Sequence, residues 1–152
     1  MGRGPGITTH PSRPAPTEIP RRRNPASVRS PHTRRGIGPA GRGRLTGTEA
    51  EILIDEQYLP GLFRIEEKNH LFVLCWFDRA DRTLLRATPP HNPVEHGVFA
   101  TRSPNRPNPI SLSLVDVIDI QGGRIRVRGL DALDATPVLD IKPFSPEIDC
   151  PD

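Results

Sequence analysis

Alternation of apolar and polar positions resolves this chain into short strands separated by turns. Ala50, Ile52 and Ile54 alternate with Glu49, Glu51 and Asp55, the period of a half-exposed strand. Leu71 to Phe77 is a continuous apolar run of strand length, the pattern expected of the most buried strand. Leu112 to Ile120 and Arg124 to Leu130 flank Gln121-Gly122-Gly123, which predicts a hairpin turning on glycine. In its second arm Ile125 and Val127 alternate with Arg124, Arg126 and Arg128, so one face of that strand is wet. Val98 to Thr101 and Val138 to Ile141 supply two more short strands, and helical signal is confined to a turn or two around Asp55 to Leu59 and Leu62 to Lys68. Many short strands with turn signals predict a mostly β, small single-domain barrel.

One stretch fits neither strand nor helix. Residues 97–113 read GVFATRSPNRPNPISLS, and Pro104, Pro107 and Pro109 each fix φ and remove an N–H donor. Residues 103–109 are therefore a stiff loop, each proline contributing about 0.4–1 kcal/mol by restricting the unfolded chain. Arg102 and Arg106 are held on it, each with a planar fork of donors suited to a carboxylate or phosphate. Asn105 and Asn108 add amide groups. The loop reads as a ligand clamp or, more plainly, as a rigid surface turn with solvated arginines.

Composition divides the chain in two. Residues 1–44 carry ten arginines against one acid, Glu18, with eight of the nineteen prolines, whereas the remainder is acidic on balance although the whole carries +3. With almost no large apolar side chain before Val28, residues 1–26 read as a disordered basic extension, 27–146 as the folded domain and 147–152 as a tail. The extension is either a solvated appendage or a nucleic-acid arm. No run approaches the roughly 18 apolar residues of a membrane span, and no apolar segment follows Arg21-Arg22-Arg23, so a cytoplasmic protein with no membrane partner is expected. Cys75 and Cys150 make no disulfide framework, and Cys75 reads as a buried thiol.

A second proline-bracketed block, DALDATPVLDIKPF at residues 131–144, joins the first. Together they resemble the TsaA-like, or TrmO, family of S-adenosylmethionine-dependent methyltransferases, whose pattern is close to GVFATRSPxRPNPIGLS followed by LDxxDGTPVLDIKPY. Val28-Arg29-Ser30-Pro31 resembles the family's opening strand, and LCWFDRADR at 74–82 resembles the short branch that lacks the C-terminal domain. Ser111 and Ala135 stand where the family has glycine, and Asp78 where many relatives have histidine. A glycine serving a backbone with positive φ would leave its replacement strained.

The resemblance implies a homodimeric barrel that binds S-adenosyl-L-methionine and methylates tRNA, its best-understood members acting on N6 of threonylcarbamoyl-adenosine beside the anticodon. It implies cofactor contacts from Asp78, Arg79, Arg102, Leu112, Asp131, Ala132, Leu133 and Asp134, and substrate contacts from Arg106 and Asn108. Asp140 is a candidate base and Lys142 a candidate stabiliser, or the two pair to close the sheet. Asp131 and Asp134 are equally capable of ordinary turn chemistry. The same cofactor chemistry on a small molecule, or a non-catalytic RNA-binding module using Arg124, Arg126 and Arg128, are the competing readings.

Two other motifs lack the context they need. Gly36 to Gly41 fits G-x-G-x-x-G, but Arg34-Arg35 precede it and Pro39 interrupts it, so the sequence context of a strand-to-helix turn is missing. In the resembled family that region is a P-x-Q loop, of which only Pro39 is present. His91, Glu95 and His96 have no further ligand at a metal-site spacing, and no metal is expected.

Overall fold

The computed structural model describes residues 26–29, 47–90 and 92–151. The basic extension up to Pro25, the Gly36 to Gly41 motif with Pro39, and His91 lie outside the described residues. Among the described residues there are eight strands: β1 (Ala26–Arg29), β2 (Glu49–Ile54), β3 (His70–Trp76), β4 (Arg86–Ala87), β5 (His96–Gly97), β6 (Ile110–Gln121), β7 (Arg124–Arg128) and β8 (Pro137–Pro143). Helical structure among the described residues is limited to 3₁₀ turns at Glu56–Leu62, Ile65–Glu67 and Val98–Ala100, and one α-turn at Pro146–Asp149.

Six strands pair antiparallel in the order β1-β2-β7-β6-β3-β8, and β8 pairs back onto β1 through Ala26↔Val138 and Ser27↔Pro137, so the sheet closes on itself. The mostly β character expected from alternation is the one observed. Inward-facing Val28, Ala50, Ile52, Leu71, Val73, Cys75, Val115, Ile125, Val127 and Val138 are each no more than 3% exposed and, with Ala26 and Leu130, fill the interior. A six-stranded ring leaves no more room than its own side chains need. A ligand must therefore sit at the rim or on the outer face.

Two irregularities set which groups face outward. Between β3 and β8 the register steps from Leu74↔Asp140 to Cys75↔Val138, leaving Leu139 as an extra residue. That bulge resets the period-two alternation, so Val138 points in while Asp140 and Lys142 point out. Between β6 and β7 the step from Val117↔Val127 to Asp119↔Arg126 does the same around Ile118. It lets Asp116 and Asp119 share the outer face while Val117 and Ile120 pack on the core.

One sequence expectation needs correction, and another holds on one face only. Residues Val98–Ala100 form a 3₁₀ turn and not a strand, with Thr101 extended after it. The apolar run of β3 is not uniformly buried: Leu71, Val73 and Cys75 are interior, whereas Phe72, Leu74 and Trp76 alternate onto the outer face and are half-exposed. Closure explains this, because a strand in a ring has only one dry side. The pair β4–β5 forms a separate two-stranded ribbon that alternation did not reveal, being only two residues long on each side.

Candidate functional site

Antiparallel order brings six strand ends to one mouth of the ring: the ends of β1, β3 and β7 and the starts of β2, β6 and β8. The loops that carry both sequence blocks leave or enter there. They are tied to one another by named bonds. Phe77 N–H donates to Pro109 O at 2.9 Å, Asp81 N–H to Asn105 Oδ1 at 2.9 Å, and Arg82 Nε to Pro107 O at 2.9 Å. The Arg82 guanidinium also lies 5.3 Å from the centroid of the Trp76 ring, a cation–π contact. Thus the turn after β3 and the proline loop before β6 form one frame.

Arg102 projects from this frame, exposed and without a hydrogen bond or ion pair among the described residues. Asn108 is likewise exposed. Arg106 behaves differently. Its Nη2 donates to the Val98 carbonyl and, at 2.6 Å, to the Thr101 carbonyl, while its Nε is buried with no partner among the described residues. Its guanidinium closes the 98–106 loop from within. Asp78 and Arg79 are exposed just beyond β3, in the turn where Asp78 N–H donates to Trp76 O at 3.0 Å.

The second block sits across the mouth. Asp131, Ala132, Leu133 and Asp134 are half-buried in the segment between β7 and β8, and both aspartates have interaction partners. The segment is clamped to β1 on either side of one residue: Ala135 N–H donates to Val28 O at 2.8 Å, and Val28 N–H donates to Thr136 O at 3.0 Å. Ala135 itself adopts φ 65°, the left-handed region that glycine tolerates and alanine does not favour. Ser111 has no such strain; its Oγ accepts from Cys75 N–H at 3.3 Å inside the ring.

Leu112 lies on the outer face, 49% exposed, directly across from Leu74, which in turn lies across from Asp140. One cross-strand row therefore joins the candidate adenine contact to the candidate base, two strand spacings or roughly 10 Å apart. Asp140 Oδ2 lies 2.8 Å from Lys142 Nζ, and its Oδ1 accepts from Ile141 N–H at 2.9 Å. The pairing weighed from the sequence is thus made within β8 itself. Sequence reasoning missed Asn105 and Arg82 as braces and Trp76 as a stacking surface; Asn105 lies between two prolines, but neither bond could be read from spacing.

The basic row on β7 is not a free cationic patch. Glu49 and Glu51 flank it on β2 and Asp116 and Asp119 on β6, with Arg128 Nη2 3.3 Å from Glu49 Oε1 and Arg124 Nη1 3.4 Å from Glu51 Oε1. Among the described residues no group of three or more His, Cys, Asp or Glu is placed to hold a metal ion. No helix there is long and apolar enough to cross a membrane.

The fold is thus a closed, side-chain-filled β ring with a braced arginine loop and an acidic turn at the same mouth. The chain belongs to the tRNA-methyltransferase O N-terminal domain family, whose model matches residues 27–150. It is 48% identical over 81% of its length to an S-adenosyl-L-methionine-binding protein of Archaeoglobus fulgidus, covering 88% of that protein. It is 41% identical over 59% of its length to a mouse tRNA (adenine(37)-N6)-methyltransferase, of which it covers 22%. The crystal structure of TrmO from Pseudomonas aeruginosa superposes with a TM-score of 0.66 at 29% identity, over 84% of this chain and 57% of that one.

Proposed function

We propose that this chain is an S-adenosyl-L-methionine-dependent methyltransferase that methylates N6 of an adenosine, threonylcarbamoyl-modified, beside the anticodon of tRNA in the cytoplasm. The observation that carries the reading is the exposed Arg102, held on a frame of three prolines and three cross-loop hydrogen bonds at the same mouth as the clamped Asp131–Asp134 turn. The donor set fits the cofactor group by group. A guanidinium suits its carboxylate, worth roughly 1.5–3 kcal/mol as a charge-assisted bond. Asp131 and Asp134, with the backbone of Ala132 and Leu133, suit a ribose diol or adenine edge, Leu112 a base face, and Asp78 and Arg79 the remaining polar groups. When bound, the cofactor supplies a methyl group on a sulfonium, reactive toward a nucleophile in line with the breaking bond.

The protein's own contribution is orientation, because holding two reactants in line removes most of the entropic cost of their meeting. Arg106 keeps the Arg102 loop in one conformation and Asn108 meets the RNA beside it. Asp140, in the row that ends at Leu112, takes up the proton released by the acceptor nitrogen, and Lys142 Nζ lies 2.8 Å from that carboxylate as its electrostatic partner. A homodimer forms over the outer face of β3 and β6 at the Phe72–Leu114 pair, beside the row from Leu112 through Leu74 to Asp140. The competing RNA-binding module is disfavoured because its basic row is flanked by acids on both neighbouring strands.

Calorimetry with S-adenosyl-L-methionine tests the cofactor assignment: wild type binds, and Arg102→Ala binds about tenfold or more weakly while staying folded. No binding by folded wild type removes the methyltransferase reading. Nucleoside mass spectrometry of tRNA from cells with and without the gene tests the acceptor, and an unchanged adenosine modification profile sinks it.

A further inference from the structure

Phe99 is held in solvent by a turn built to keep it there. Its side chain is 86% exposed, whereas Val98 next to it is buried at 1% exposure. Thr101 N–H and Thr101 Oγ1 both donate to the Val98 carbonyl, at 3.2 and 3.1 Å, and Arg106 bridges that carbonyl to the Thr101 carbonyl. On the other side Val98 N–H donates to Leu85 O at 3.0 Å, and Leu85 is itself 65% exposed. A lone exposed apolar side chain on a mobile loop needs no explanation. Here the ring could fold inward only by breaking a turn pinned on both sides, so its exposure is part of the design of the loop.

The surroundings indicate the kind of partner. Arg102, given above to the cofactor, is exposed three residues on, and the same hydrogen-bonded frame carries exposed Arg82, stacked on Trp76 and not used by the cofactor. An exposed aromatic ring on a loop frame that also carries an exposed guanidinium suits an unpaired nucleobase with its phosphate, since the base stacks and the cation meets the backbone. A second copy of this chain would meet instead the apolar outer face of β3 and β6 at the Phe72–Leu114 pair.

We propose that Phe99 is a stacking platform for an unpaired RNA base next to the methyl acceptor, making it a specificity residue for single-stranded loop substrates. This rests on the RNA methyltransferase reading. The probe is an RNA hairpin carrying 2-aminopurine in its loop, whose fluorescence falls when the base stacks on an aromatic ring. Wild type quenches the probe, Phe99→Ala loses the quenching and binds the hairpin about tenfold more weakly, and Phe99→Trp keeps both. Affinity for S-adenosyl-L-methionine is the same in all three. Unchanged quenching and affinity in Phe99→Ala overturn the proposal, as does wild type that fails to bind the hairpin. So does a Phe99→Ala protein whose sedimentation shows a lost dimer, because the ring then covers a second copy. If wild type binds the hairpin but not the cofactor, the methyltransferase reading falls while the quenching comparison still decides the role of Phe99.

Discussion

At the scale of single residues, Ala135 shows a departure from the family pattern turned into backbone strain. An L-residue in the left-handed region loses roughly 1–2 kcal/mol, and the extra chain entropy of glycine returns about 0.5–1 kcal/mol of that. Ala135→Gly is therefore expected to stabilise the domain by about 0.5–1 kcal/mol, read as a higher denaturant midpoint at unchanged slope. Ser111→Gly has no strain to relieve and yields no gain. Cys75 tests the interior. Burial pushes its thiol up to about 11 from 9.0, against a smaller lowering by Ser111. The folded state thus keeps a proton that the unfolded chain releases, so this contribution is intact below pH 9 and is lost as pH rises from 9 to 11. The loss is on the order of 2–3 kcal/mol, at about 1.4 kcal/mol per pH unit. At pH 8, iodoacetamide should label exposed Cys150 and reach Cys75 only after denaturation. The positive φ at Ala135 was legible beforehand because the glycine it replaces has a physical reason to be there. The inward turn of Arg106 was not, since a guanidinium in a proline loop has no periodicity to say which way it points.

At the scale of elements, alternation succeeds where one face is wet and the other dry. Strand β7 has the pattern expected from Ile125 and Val127, and β2 that expected from Ala50 and Ile52. It fails at β3, where an unbroken apolar run concealed an outer face of Phe72, Leu74 and Trp76. It also could not reveal the bulges at Leu139 and Ile118, each a one-residue step that decides whether Asp140 and Asp119 face water. The arginine row of β7, framed by Glu49, Glu51, Asp116 and Asp119, makes a definite prediction. Replacing Arg126 by Ala should leave the salt dependence of tRNA binding unchanged. A fall in the slope of about 0.7, the contribution of one contacted phosphate on a single strand, would restore that face as an RNA surface.

At the scale of the whole molecule, the closed sheet has its loops for chemistry at one mouth and an apolar outer face on β3 and β6. That face belongs to the homodimer proposed above, and a charge placed in it should be intolerable to the interface yet acceptable to a half-exposed strand position. Leu114→Glu is expected to sediment as a folded monomer where wild type sediments as a dimer. A wild type that is monomeric at micromolar concentration would remove the interface. The gathering of both proline-bracketed blocks at one mouth was legible only through family resemblance. Nothing in the spacing of Arg102 and Asp131 says that antiparallel order will bring their loops to the same end.

Closure of the ring depends on its smallest part. Strand β1 has four residues, and only Ala26 and Ser27 bridge to β8. A chain that began after Arg29 would keep nearly all of its hydrophobic interior yet expose two raw edges, on β2 and β8, each a row of backbone donors and acceptors ready to recruit a strand from a neighbouring molecule. Four residues at the front of the domain thus stand between a solitary fold and open-ended aggregation.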